Sequence, residues 1–161
     1  MSVYTRTGDK GKTGTFSGKR ISKYSTLINT IGSLDELNSY LGIIGGLAKI
    51  QKNIFTINSI LSGAKLTFPK TETLKLEKEI DAMEKKLPVL SSFIIYGGTP
   101  KASQIYFARS LCRRAERLLV SLQNINQKLV ISPYINRLSD YLFTLARFIN
   151  FREKVKEGTW K

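Results

Sequence analysis

Three arginines at helical spacing, Arg109, Arg113 and Arg117, are the residues whose type and placement most directly imply chemistry in this chain. With Glu116 they share an arc of about 100° on one side of a helix. Guanidiniums held so close repel one another unless an anion lies among them. The stripe therefore asks for a polyanion or for buried carboxylates, or else it is a solvated helix face. A second candidate lies in residues 1–20, MSVYTRTGDKGKTGTFSGKR, where Gly8, Gly11, Gly14 and Gly18 are set among hydroxyls and Lys10, Lys12 and Lys19. Glycines let backbone N–H groups turn toward an anion, and hydroxyls and ammonium groups add donors and charge; the competing reading is a flexible N-terminal tail. Gly11-Lys12-Thr13 has the ending of a phosphate-binding P-loop, but that pattern needs Gly where Arg6 stands and a buried strand before it. Asp35 is either a solvated helical acid or a partner for one of the arginines. Asn136, Asp140, Phe143 and Arg147 align as a second polar stripe on the last helix.

Some chemistries are absent from the outset. The chain has no His, which excludes His-bound zinc, Ser-His catalysis and imidazole acid-base steps. Its single Cys, Cys112, cannot form an intramolecular disulfide and falls on an apolar helix face, as a small core residue rather than a nucleophile.

The elements that must position these groups read as helices. Phe107, Ala108, Leu111, Cys112, Ala115, Leu118, Leu119 and Leu122 make the apolar side of the arginine helix, which Thr99 caps and Pro100 opens. A first helix starts at Ser25 or Thr26, with Leu27, Ile31, Leu34, Leu37, Leu41, Ile44 and Ala48 on one face; a capping box at Ser33 and Glu36 offers a later start. A second spans 53–66, and a third spans 71–87, with Leu74, Leu76, Ile80, Met83 and Leu87 inward and Pro88 stopping it. Residues 88–99, PVLSSFIIYGGT, form an apolar loop that either plugs its own core or covers a ligand. After a polar link, Ser132 caps and Pro133 starts a last helix whose core face is Leu138, Tyr141, Leu142, Leu145 and Ile149. With no credible strand and no repeat, the pattern predicts an all-α, five-helix antiparallel bundle in one domain, 1–161, with a glycine-rich leader over 1–23 and a mobile tail over 152–161.

The chain has 161 residues, 42% hydrophobic, and a net charge of +14. Such a balance points to nucleic acid, an anionic membrane or a phosphorylated small molecule. No stretch is apolar enough to span a bilayer and no secretory leader is evident, so the expectation is a cytoplasmic protein. A basic helical nucleic-acid-binding module is the rival reading, although the lysines are spread through every segment rather than gathered on one face.

Four blocks, TRTGDKGKTGTFSGKRISK, GSLDELNSYLG, FARSLCRRAER and NRLSDYLFTLARF, occur in this order over nearly the whole chain. Together they resemble the signature of the PduO-type ATP:cob(I)alamin adenosyltransferases. The resemblance implies a ferritin-like five-helix bundle that assembles as a homotrimer, with ATP held between the leader of one subunit and the arginine helix of the next. It implies ATP contacts at Thr5, Arg6, Thr7, Gly8, Thr13, Gly14 and Lys23, and at Arg113, Arg114, Glu116, Arg117 and Asn136. It also implies an Asp35–Arg109 salt bridge between subunits beside the corrinoid, Asp140 close by, and Phe93 as the aromatic that removes the lower axial ligand from cobalt. Arg113, Asp35, Arg109 and Phe93 are thus the expected catalytic set. The substrates are ATP and cob(I)alamin, and no protein side chains are assigned to the Mg²⁺, which the ATP phosphates carry. A cob(II)alamin reductase and a B12-dependent enzyme receiving the product are the expected partners. Three departures from the pattern are Tyr96, where the family often has proline in FxLPGG, Ile105-Tyr106, where Leu-His is common, and Gly14, where a small hydroxyl is common.

Overall fold

The computed structural model describes residues 4–123 and 127–160. Residues 1–3, 124–126 and 161, parts of the expected leader, link and tail, lie outside these. Five helices dominate: α1 (Thr26–Ile44), α2 (Ala48–Leu61), α3 (Thr71–Glu84), α4 (Pro100–Ser121) and α5 (Lys128–Arg152). α4 packs between α1 and α5, α2 packs on α1, and α3 packs on α5. One apolar cluster runs through all five, with Leu34, Leu37, Ile54, Ile57, Ile105, Leu119, Ile135 and Leu138 at its centre. No helix among the described residues is long and apolar enough to cross a membrane.

The expected bundle is present, with its boundaries moved by local backbone chemistry. Ser25 caps α1, its hydroxyl accepting from the Ile28 N–H, so the earlier start is the one used. The helix stops before Ala48 because Gly45 and Gly46 both take positive φ, 71° and 77°. That break moves the start of α2 from 53 to Ala48, and Gly63 at φ 98° follows its end at Leu61 instead of 66. α3 ends at Glu84, not 87, and leaves Leu74 exposed.

α5 starts at Lys128 with Pro133 inside it, so Ser132 is not its cap. Proline there removes the bond to the Leu129 carbonyl; Leu129 is exposed, which lets water satisfy that oxygen. The added turn buries Ile131, next to the buried Tyr134 and Ile135. Phe107 leaves the core and stacks edge-on against Tyr40, while Ile105 and Tyr106 take its place inside.

Strands are the larger correction. The leader is not a plain loop: β1 (Lys12–Gly14) and β2 (Arg20–Ser22) form an antiparallel hairpin, pairing Thr13 with Ile21. Within the apolar loop, β3 (Phe93–Ile95) pairs with β4 (Gly158–Trp160), setting Phe93 opposite Trp160. The tail expected to be mobile is therefore tied to the loop after α3. Three-residue strands carry no readable alternation, and both pairings depend on contacts outside the strands themselves.

Candidate active site

α4 carries the arginine stripe, and its start is fixed from three sides. Thr99 accepts the Ala102 N–H at 3.1 Å, and Pro100 supplies the helical φ of the first turn. Asn150, buried on α5, accepts the Thr99 N–H at 3.0 Å and donates to the Gly97 carbonyl at 2.9 Å. Gly98 passes so close, at φ 105°, that a Cβ would sit 2.6 Å from Asn150 Cγ. Gly97-Gly98 is thus the corner that lets the loop hand over to the helix.

Along the helix the expected residues separate into distinct environments. Arg113 is exposed, and its carbonyl receives Arg117 Nη1 at 3.1 Å, laying the two guanidiniums along one face. Glu116 accepts from Asn136 Nδ2 at 2.8 Å, bringing α5 to the same patch. Arg114 instead forms an ion pair with Glu36 of α1. Arg109 Nη1 donates to Tyr96 Oη at 3.0 Å, and its guanidinium lies 5.2 Å from the Tyr96 ring and 5.5 Å from that of Phe143. Asp140 receives Arg137 Nη1 at 2.7 Å, and Arg137 Nε reaches Glu77 at 3.1 Å. Asp140 therefore sits in an acidic recess with Glu77, Asp81 and Glu84 rather than in the arginine patch.

The leader lies on another face. Its hairpin, with α1 and α2, lines a cavity of about 660 Å³ that includes Thr13, Gly14, Gly32, Asp35 and Asn58. The Ser17 N–H donates to the Ser62 carbonyl at 3.2 Å, and Gly63, φ 98°, gives Ser17 room, since a Cβ there would lie 2.7 Å from Ser17 Cβ. Arg20 ties the Thr7 and Lys12 carbonyls together. Thr5 and Thr7 share a hydroxyl hydrogen bond of 2.8 Å, and the Lys23 ammonium lies against Gly8. Arg6 adopts φ 58°, left-handed backbone in a residue that is not glycine, a strain of the kind that gathers at functional sites. The leader's hydrogen bonds described above run within itself and to the end of α2, and among the described residues Asp35 and Arg109 form no ion pair.

Phe93 is 81% exposed, with Trp160 beside it across the β3–β4 pair and Leu90, Ser91 and Ser92 around a recess. Sequence reasoning missed what holds this end together. Arg147, assigned to the polar stripe, is 7% exposed; its Nε meets Glu157 Oε2 at 3.0 Å and its Nη2 the Pro88 carbonyl at 3.2 Å. Tyr106 Oη donates to the other Glu157 oxygen at 3.3 Å, and burial, followed by that carboxylate, holds the phenol above its ordinary pKa so that it remains the donor. The one cue available was the count of charges in the last ten residues, which gave no partner. Cys112 behaves as a core residue: burial pushes its thiol up, and it donates to the Ile135 carbonyl at 3.4 Å.

Comparison with known proteins matches the cobalamin adenosyltransferase family model to residues 3–149. Corrinoid adenosyltransferase MMAB of Bos taurus is 36% identical, over 99% of this chain and 76% of its own. Corrinoid adenosyltransferase PduO of Citrobacter freundii is 41% identical, over 91% of this chain and 49% of its own. The corrinoid adenosyltransferase of Bacillus subtilis is 36% identical, over 96% of this chain and 90% of its own. Among solved structures, a variant PduO-type ATP:corrinoid adenosyltransferase from Lactobacillus reuteri, complexed with cobalamin and ATP, superposes with a TM-score of 0.92 at 31% identity, covering 99% of this chain and 97% of that one. With the helices, the arginine patch and the leader in the arrangement described, the chain belongs to the cobalamin adenosyltransferase family.

Proposed function

We propose that the chain transfers the 5′-deoxyadenosyl group of ATP to cob(I)alamin, yielding adenosylcobalamin and triphosphate. The cobalt(I) electron pair forms the bond to the ribose 5′ carbon, the C5′–O bond breaks, and its electrons leave with the triphosphate. No proton needs to pass through the protein, which suits a chain without His. The protein's work is alignment and stabilisation of the leaving charge. The observation that carries the reading is the α4–α5 face: Arg113 and Arg117 stand exposed one turn apart beside the Glu116–Asn136 pair, a fork for phosphate oxygens. Thr5, Arg6, Thr7, Gly8, Thr13, Gly14 and Lys23 supply the opposing wall.

Within one chain the leader lines its cavity with α1 and α2 and not with α4, which supports a homotrimer in which the leader of one copy closes over the arginine helix of the next. Asp35 then meets a neighbour's Arg109, and Phe93 and Asp140 lie toward the corrinoid. Magnesium enters with the ATP phosphates. A reductase must supply cobalt(I), a B12-dependent enzyme consumes the product, and the cytosol is the compartment in which a lone thiol and such a reductase fit. The nucleic-acid reading has nothing further in its favour.

The test is the absorbance change on mixing the protein with reduced cobalamin and Mg-ATP. Wild-type protein converts the spectrum to that of an alkylcorrinoid; an unchanged spectrum rejects the reading. Arg113→Ala loses two charge-assisted contacts and should slow turnover at least about 10-fold with the helical circular dichroism intact. Near-normal turnover would remove Arg113 from the phosphate site.

A further inference from the structure

Tyr96 stands where the resemblance implies a proline, and it does not simply replace it. Its ring stacks on Tyr106, centroids 4.9 Å apart at 27°, and Tyr106 is itself buried and tied through Glu157 to Arg147. That backing fixes the outer face of the Tyr96 ring beneath the Arg109 guanidinium, while the Tyr96 hydroxyl accepts from Arg109 Nη1 and Phe143 covers the guanidinium from another side. Arg109 has no acidic partner among the described residues.

From this we infer that Tyr96 is a positioning residue: it clamps Arg109, in advance of assembly and substrate, in the orientation from which its remaining N–H groups pair with a carboxylate of a second copy beside the corrinoid. The inference rests on the proposed adenosyl transfer and on Asp35 as that carboxylate. A free arginine would give up much of its rotamer freedom on pairing; one already held between two rings and a hydroxyl has given it up on folding. Tyr96 thus does through side-chain contacts to Arg109 what a proline cannot, and its effect falls on the corrinoid side, leaving the Arg113–Arg117 fork for ATP untouched.

The experiment compares steady-state kinetics of wild type, Tyr96→Phe and Tyr96→Leu with cob(I)alamin and Mg-ATP. Tyr96→Phe keeps the stack and the cation–π contact and loses the hydrogen bond, so KM for the corrinoid should rise about threefold. Tyr96→Leu loses all three, and the rise should reach about tenfold, with KM for ATP staying within about twofold. Adding Arg109→Ala to Tyr96→Phe should abolish the increment due to Tyr96. An unchanged corrinoid KM in Tyr96→Leu, an equal rise in both KM values, or full additivity with Arg109→Ala overturns the inference. A wild-type protein that turns over while any of these is seen leaves adenosyl transfer standing and rejects the clamp alone; a wild-type protein without turnover rejects both.

Discussion

At the scale of single residues, exposure separates the groups that keep the fold from those that face outward. Phe93 is 81% exposed and borders a recess rather than the core, so its ring contributes little to packing. Phe93→Ala should therefore move Tm by no more than about 1 °C. If the ring displaces the axial ligand of cobalt, kcat should fall at least about 10-fold with KM for ATP unchanged. An equal loss in ATP binding would assign Phe93 a general role instead. Much at this scale was legible in the sequence because helical spacing alone decides it: Arg113, Glu116 and Arg117 share a face, and Cys112 lies on the opposite, buried one. Arg147 was misread for the same reason. Its angular position suits the polar stripe, but its partner, Glu157, lies beyond the end of the helix on a segment whose path no periodicity reveals.

Elements tell a similar story with the emphasis on their ends. The helices were legible because each buries an apolar face of several turns; the break at Gly45-Gly46, set by two residues at positive φ that the apolar periodicity runs across, and the continuation through Pro133, set by tertiary burial, were not. The β3–β4 pair was invisible, yet it sets the position of Phe93. Its hold on the bundle runs through the Arg147–Glu157 pair, both side chains largely withdrawn from water, with Tyr106 as a further donor. Replacing Glu157 by Gln leaves the Arg147 charge buried without its anion, a change worth about 3 kcal/mol. For a chain of this length Tm should drop by about 6–12 °C. Proteolysis at the C-terminal end should accelerate as β4 loosens. A Glu157→Gln protein that melts with wild type would show that the pair contributes nothing to holding the tail.

For the molecule as a whole, the two proposed walls of the site, the leader and the α4 arginines, belong to separate parts of one chain. Within a copy, the leader is pinned to the end of α2 and lines a cavity with α1 and α2 that no α4 residue borders. In the proposed trimer, a heterologous contact repeated around a three-fold axis would bring the leader of each copy to the arginine helix of the next and close on itself. Mixed assemblies test the geometry directly. Lys23→Ala spoils the leader wall and Arg113→Ala the helix wall, so each variant alone should be nearly inactive. When the two are unfolded together in equal amounts and refolded, a site formed between copies works if its leader comes from the Arg113→Ala chain and its helix from the Lys23→Ala chain. Random assembly makes about one quarter of the sites whole, and that fraction of wild-type turnover should return. Sites contained in single copies would regain nothing, because every copy carries one damaged wall; recovery near zero, with mixed trimers demonstrated by mass, would place the whole of the chemistry on one chain.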